Sequence, residues 1–417
     1  MKLVKLSLAA IVAAGALTSV ASAASLEEAI KNVDVTGYAR YRYDAKTTEA
    51  ATEGKDKHGA THRFTSDVDF KAALDDNFFG VVGFRYDSLD ASGERADAQA
   101  NVGVYDEGNQ EFGQTFNVRQ FYLGYTAGNT TLTAGRQVLG TFFTDDMVGT
   151  GLKVLNTDIS GLTLAAVAFD NLQGDSDIGS LGYYNDENQP EGVFIGSKGN
   201  ETVVDRNLYG VAAIGSYDPV SFQVWYAALD SVAQLYALDV TVATSISDVD
   251  LSLQAQAAGS SLWANKAMSY DGKGTAGTPV DLDDAKFWAA KLGAKAYGFN
   301  GSVGYIQFDS DARSLISFED QGAFISPGED LLNYTLFAGD NNYWFVTAGY
   351  TYDKYSAGID YVDGENEFAG TKTDRSEIVY RLGYNYSKKL NFKLWFSDIE
   401  DGNNDKDHLR FEARYNF

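Results

Sequence analysis

Apolar and polar residues alternate along most of the chain. Between residues 33 and 44, the odd positions hold Val, Gly, Ala and Tyr, whereas the even positions hold mainly Asp, Thr and Arg. The final segment "HLRFEARYNF" (408–417) repeats this pattern, with Leu409 and Phe417 on one face and Arg410 and Glu412 on the other. Successive side chains of a strand point to opposite faces, so a period of two predicts β-strands with one apolar and one polar face.

The same pattern predicts an antiparallel all-β fold of about 18 strands. We expect these strands near residues 33–44, 61–74, 78–89, 116–125, 130–138, 151–158, 162–170, 207–217, 220–230, 234–246, 250–259, 286–297, 301–309, 343–353, 355–364, 375–387, 389–400 and 407–417.

The predicted connections alternate in length. Tight turns follow the even-numbered strands, whereas most odd-numbered strands lead into long stretches rich in Gly and Asp, at residues 90–115, 171–206, 260–285 and 310–342. This layout is typical of a transmembrane β-barrel with short periplasmic turns and long external loops. The alternative is a soluble, secreted all-β protein such as an adhesin, which also has alternating strands. Aromatic residues at the predicted strand ends and Phe417 at the chain end favour the barrel.

The amino-terminal residues resemble a secretory signal. Two lysines precede an apolar stretch at residues 6–17, and Ala21-Ser22-Ala23 follows as a cleavage site. We therefore predict a signal peptide at residues 1–23 and a single barrel domain at residues 24–417, with a short lead-in at residues 24–32.

Composition excludes several classes of protein. The formal net charge of −25 makes contact with nucleic acid phosphates repulsive. The 26 Tyr and 25 Phe residues argue against a disordered acidic chain. After the signal, no apolar run approaches the roughly 20 residues that a membrane helix needs, so a membrane protein with this sequence would span as a barrel.

Several segments resemble the Campylobacter-type major outer membrane porins. They are "LEEAIKNVDVTGYARYRYD" (26–44), "FNVRQFYLGYTAGNTTLTAGRQ" (116–137), "GLTLAAVAFDN" (161–171) and the carboxyl-terminal strand. The resemblance implies an 18-stranded homotrimer in the outer membrane of a Gram-negative cell, in contact with lipid and lipopolysaccharide. It also implies passive diffusion of ions and small hydrophilic solutes with a preference for cations. The terminal Phe417 is expected to be recognised by the outer-membrane assembly machinery.

The third external loop is the candidate pore constriction. A barrel of 16 to 18 strands is too wide for side chains to fill, so something must narrow it. We place this loop at about residues 139–150, with Asp145 and Asp146 in the constriction and Phe142 and Phe143 anchoring the loop to the wall. The alternative is an ordinary exposed turn with two solvated carboxylates.

Six arginines are predicted to face the lumen opposite these acids. The period of two places them on the polar strand faces: Arg40, Arg42, Arg85, Arg381, Arg410 and Arg414. Acids facing arginines would create a transverse field that selects by charge, and acid rings favour cations. The alternative is that the arginines pair with lumenal acids and stiffen the wall. The alternation leaves the orientation of Arg119 and Arg136 open.

Metal and catalytic sites have weaker support. Asp145 and Asp170 together form a candidate calcium site, but no cofactor is required, and the acidic segments at 281–284 and 401–407 do not match an EF-hand. The three histidines form no catalytic constellation, so we predict no enzyme. Two other functions remain open: a substrate-specific channel, and an adhesin or antigen that uses loops 171–206 and 310–342.

Overall fold

The structure is a computed structural model. It describes residues 33–49, 57–88, 114–173, 177–180, 192–195, 201–202, 206–263, 268–271, 280–315, 323–332, 337–402 and 405–417. The signal peptide and lead-in predicted for residues 1–32 lie outside the described residues.

Eighteen antiparallel strands form one closed barrel. In chain order they are β1 (Asp34–Thr48), β2 (Lys57–Ala73), β3 (Phe78–Ser88), β4 (Gln114–Ala127), β5 (Thr130–Val138), β6 (Val148–Asn156), β7 (Leu162–Asp170), β8 (Leu208–Tyr217), β9 (Val220–Leu229), β10 (Ala233–Ile246), β11 (Val249–Leu262), β12 (Ala285–Ala296), β13 (Phe299–Ser310), β14 (Gly339–Tyr352), β15 (Tyr355–Phe368), β16 (Thr371–Asn385), β17 (Leu390–Asp401) and β18 (Lys406–Asn416). Neighbours in sequence pair with each other, and β1 also pairs with β18, so the sheet has no free edge. The predicted fold class is confirmed.

The outward face of the barrel is apolar and carries aromatic pairs near both ends of the strands. Near the short turns, the rings of Phe299 and Tyr350 lie 4.4 Å apart. Near the long connections, the rings of Trp344 and Tyr361 lie 5.4 Å apart. Two aromatic girdles that flank an apolar band match the two interfaces of a membrane.

An apolar core lies inside the barrel, near the ends of β8 to β14 that face the long connections. Trp225, Leu235, Phe287, Phe308 and Tyr343 point inward and are each 2% exposed or less. In a barrel filled only with water these side chains would be exposed to solvent, so other parts of the chain must cover them.

Two connections contribute much of that cover. We name them the third loop (residues 139–147, between β5 and β6) and the seventh loop (residues 311–338, between β13 and β14). The third loop is shorter than the predicted range of 139–150 because β6 begins at Val148. Four further short strands pair in a separate small sheet: Gly192–Ile195, Glu201–Thr202, Met268–Asp271 and Val280–Asp281.

The described residues contain no helix that is long and apolar enough to cross a membrane.

Candidate pore constriction

The third loop folds into the barrel. Leu139, Phe142, Phe143 and Met147 are each 3% exposed or less. The N–H of Leu139 donates to the carbonyl oxygen of Met147 at 2.9 Å, which closes the base of the loop. Four buried apolar side chains in so short a connection hold it against the protein interior.

The third loop reaches the far wall through the seventh loop. The carbonyl oxygen of Phe142 accepts a hydrogen bond of 2.9 Å from the N–H of Ala323. The ring of Phe142 lies 4.8 Å from that of Phe324, which in turn lies 4.8 Å from Phe287 on β12. The phenylalanine expected to anchor the third loop therefore contacts another inward loop, and that loop contacts the wall.

The seventh loop crosses the lumen between β11 and β16. On β11, the side-chain amide of Gln256 donates to the carbonyl of Ala323 at 2.8 Å and accepts from the N–H of Ile325 at 2.7 Å. On β16, the carboxylate of Glu377 accepts the N–H groups of Glu329 and Asp330 at 3.0 Å each. These two anchors place residues 323–332 inside the barrel as a second constricting element.

The sequence pattern does not predict this second element. It predicts a long external loop at residues 310–342, yet Phe324, Ile325, Leu331 and Leu332 within it are 8% exposed or less. The signal that was available is this cluster of apolar residues in a stretch that otherwise reads as solvated.

Asp146 lies against the arginine wall and does not face it across the pore. Its carboxylate is 2.6 Å from Arg85 on β3 and 2.9 Å from Arg119 on β4. Arg85 also donates two hydrogen bonds of 2.7 Å to Asp67 on β2. Burial disfavours the charged form of Asp146, but the guanidinium groups of Arg119 and Arg85 outweigh this effect and lower the pKa of its carboxyl.

The side chains of Asp145 and Asp170 do not point toward a common site. Asp145 is exposed on the third loop, and its N–H donates to the carboxylate of Asp177 at 3.0 Å. Asp170 lies opposite Thr150 and points outward, since its neighbours Val167 and Phe169 point into the core. Within the described ranges, no group of three or more His, Cys, Asp or Glu residues is placed to hold a metal ion.

The six predicted arginines all face the lumen, and four of them pair with carboxylates. Besides Arg85, Arg42 contacts Glu412 at 2.6 Å, Arg410 contacts Asp44 at 2.5 Å, and Arg381 contacts Asp360 at 2.6 Å. Arg381 also pairs with Glu329 of the seventh loop. Arg40 and Arg414 form no salt bridge in the part of the chain that the structure describes.

Arg119 and Arg136, whose orientation the alternation leaves open, point in opposite directions. Arg119 sits at an irregularity of the β3–β4 register, where Gly83 pairs with Gln120 and Phe84 pairs with Val118. This β-bulge turns both Arg119 and Gln120 inward, which a strict period of two does not predict. Arg136 lies opposite the outward-facing Phe121 and donates to the carbonyl of Asn171 at 3.2 Å.

Comparison with known proteins agrees with this architecture. The family model described as Campylobacter major outer membrane protein matches residues 1–417. No curated protein matches the chain.

Solved outer-membrane porins share the fold. OccK8 (OprE) of Pseudomonas aeruginosa is similar with a TM-score of 0.67 and 15% identity, over 92% of this chain and 98% of that one. A BenF-like porin from Pseudomonas fluorescens Pf-5 has a TM-score of 0.67 and 14% identity, over 93% and 99% of the two chains. OccAB4 of Acinetobacter baumannii has a TM-score of 0.64 and 12% identity, over 92% and 98%.

Proposed function

This chain belongs to the Campylobacter major outer membrane protein family, and we propose that it forms a water-filled pore that passes cations in preference to anions. The family and the barrel indicate a protein of the outer membrane that is a channel for passive diffusion rather than an enzyme. We propose that small hydrophilic solutes and ions pass through this channel, with a preference for cations.

An aqueous path is expected beside the two inward loops. An 18-stranded barrel is wider than side chains alone can fill. The third and seventh loops cover the apolar wall of β8 to β14 and also contact Arg85, Arg119 and Glu377. The remaining charged side chains of β1 to β4 and β16 to β18 line the path. Such a lining suits hydrated ions.

The pairing of the lumenal arginines carries the proposed cation preference. Arg42, Arg85, Arg381 and Arg410 each contact a carboxylate, so the cations of the wall are largely neutralised. The net charge of −25 on the whole chain then dominates the electrostatic field. Cations are therefore concentrated and anions depleted near the pore.

Single-channel recording tests this proposal. Purified mature protein in a planar bilayer under a KCl gradient is expected to insert in ohmic steps, with a reversal potential displaced toward the potassium equilibrium value. Asp145→Asn/Asp146→Asn should reduce that displacement, because two carboxylates at the third loop are removed. Asp75→Asn/Asp76→Asn is the matched control, since this adjacent pair is exposed in the short turn between β2 and β3.

Two results would contradict the proposal in different ways. A reversal potential at zero or toward chloride in the unmodified protein would remove the cation preference. Folded protein that never conducts would remove the pore itself.

Assembly and partners complete the proposal. We propose a homotrimer in contact with outer-membrane lipid and lipopolysaccharide, and insertion by the assembly machinery through the strand that ends at Phe417. Passive diffusion needs no cofactor, and we propose none. Surface display by the loops stays a separate prediction, although residues 323–332 of the seventh loop lie inside the barrel.

A further inference from the structure

Two lumenal arginines face each other, and neither forms a salt bridge within the described residues. Arg40 on β1 is the direct register partner of Arg414 on β18. The Nε atom of Arg40 is buried and has no hydrogen-bond partner among the described residues. Arg414 donates from Nε to the side-chain oxygen of Asn416 at 3.0 Å, and this amide carries no charge.

Tyr38 holds both guanidinium groups in place. Its ring centre lies 5.5 Å from the guanidinium carbon of Arg40 and 4.0 Å from that of Arg414. A tyrosine face attracts cations and fixes their position without consuming their hydrogen-bond donors. The outer nitrogen atoms of the pair therefore stay available to a ligand.

Neighbouring positions show how unusual this pair is. One step along the same face, Arg42 pairs with Glu412, and one step further Arg410 pairs with Asp44. Like charges directly opposite each other on a sheet are destabilising. The Arg40–Arg414 pair carries that cost, whereas the Arg42–Glu412 and Asp44–Arg410 pairs do not.

We propose that Arg40 and Arg414 bind the carboxylate group of solutes that pass through the pore. A guanidinium presents parallel N–H donors that match the two oxygens of a carboxylate, and such bidentate pairs are stronger than neutral hydrogen bonds. Two guanidinium groups side by side favour this planar anion over a spherical one such as chloride. The proposal rests on the proposed pore and adds a solute class to it. The net negative charge of the chain sets the preference among small ions, whereas this site binds one carboxylate locally.

Current block by benzoate and its uncharged analogue benzamide tests the site. In planar bilayers that contain the purified mature protein, benzoate should reduce the potassium current saturably, and benzamide and added chloride should not. Arg40→Gln/Arg414→Gln should raise the benzoate concentration for half-block at least about tenfold, because charge-assisted hydrogen bonds are lost. Phenylalanine carries an ammonium group as well as a carboxylate. Comparing its current block with that of benzoate distinguishes amino acids from organic acids as the source of the carboxylate.

Two further variants separate geometry from charge. Lys291→Gln/Lys295→Gln removes two positive charges from lumenal positions of β12 and should leave the benzoate block unchanged. Arg40→Lys/Arg414→Lys keeps both charges but loses the forked donors, so it should weaken the block without moving the reversal potential. This variant also serves if the glutamine pair does not fold.

Different results would contradict carboxylate binding and the proposed pore. Equal effects of benzoate and benzamide, or an unchanged half-block concentration in both arginine variants, would overturn carboxylate binding while normal conductance leaves the pore intact. Absence of any conductance in the unmodified protein would overturn both.

Discussion

The imidazole of His408 ties the seventh loop to β18, since its Nδ1 atom lies 2.7 Å from the carboxylate of Asp330. Its Nε2 atom lies 2.7 Å from the carboxylate of Asp44 on β1. Three elements, namely the seventh loop, β18 and β1, thus meet at one imidazole ring.

Replacing this histidine is expected to loosen the seventh loop. In His408→Gln, one amide cannot donate in two opposite directions, so the contact to Asp330 or to Asp44 is lost. We expect more open-channel current noise in single-channel recordings, with the barrel still folded. His58→Gln is the control, because His58 is exposed and its Nδ1 atom lies 3.2 Å from the hydroxyl of Thr47. Equal noise in both variants would show that His408 does not restrain the loop.

Phe142→Ala should widen the pore and destabilise the protein. The side chain is 1% exposed, and truncation of a buried Phe costs about 3–5 kcal/mol in protein cores. The contact with Phe324 is lost, so the third loop is no longer held against the seventh. We expect a higher single-channel conductance and a lower thermal unfolding midpoint. The control is Phe121→Ala, since Phe121 faces outward and is 65% exposed; a similar rise in conductance there would contradict the assigned role of Phe142.

The charge on Asp146 should persist in mild acid. Arg119 and Arg85 lower the pKa of this carboxyl, so it stays ionised at about pH 4, where an unperturbed carboxyl is half protonated. Its attraction to the two arginines is therefore present above the ordinary pKa and is lost only as the pH falls through the lower one. The difference in reversal potential between the unmodified protein and Asp146→Asn should survive from neutral pH to about pH 4. Loss of the difference near pH 5 would contradict the lowered pKa.

Removal of Phe417 should weaken barrel closure. Its N–H donates to the carbonyl of Gly37 at 3.0 Å and its carbonyl accepts from the N–H of Gly37 at 3.2 Å. Deleting the residue removes both bonds and should cost about 1–3 kcal/mol of unfolding free energy, whereas Phe417→Ala keeps them. Refolded protein in detergent should show this difference by thermal melting. If the assembly machinery reads the terminal ring, both variants should be depleted from the outer-membrane fraction of cells, and normal levels of Phe417→Ala would refute that recognition.

Local patterns predicted the barrel. Strand positions follow from a period of two and from turn residues, both of which are encoded within a few neighbouring positions. The strands at residues 130–138 and 162–170 fall where the pattern places them. The same period placed Arg40, Arg42, Arg85, Arg381, Arg410 and Arg414 on the lumenal face.

The pattern was less informative where the backbone leaves the period or the chain folds back. Arg119 turns inward because of one extra residue in β4, and nothing near it in sequence marks the bulge. Asp146 lies beside Arg85 and Arg119, because the third loop packs close to its own wall, whereas a location across the pore was predicted.

By itself, the sequence determined the strands, the two faces of each strand and the closed barrel, because hydrophobic periodicity and turn chemistry are local properties of the chain. Only the tertiary structure decided which lumenal charges are neutralised, and that the seventh loop crosses the pore. These features depend on contacts such as Asp330 with His408 and Arg42 with Glu412, between residues 78 and 370 positions apart. Register and barrel closure set such distances, and no short stretch of sequence records them.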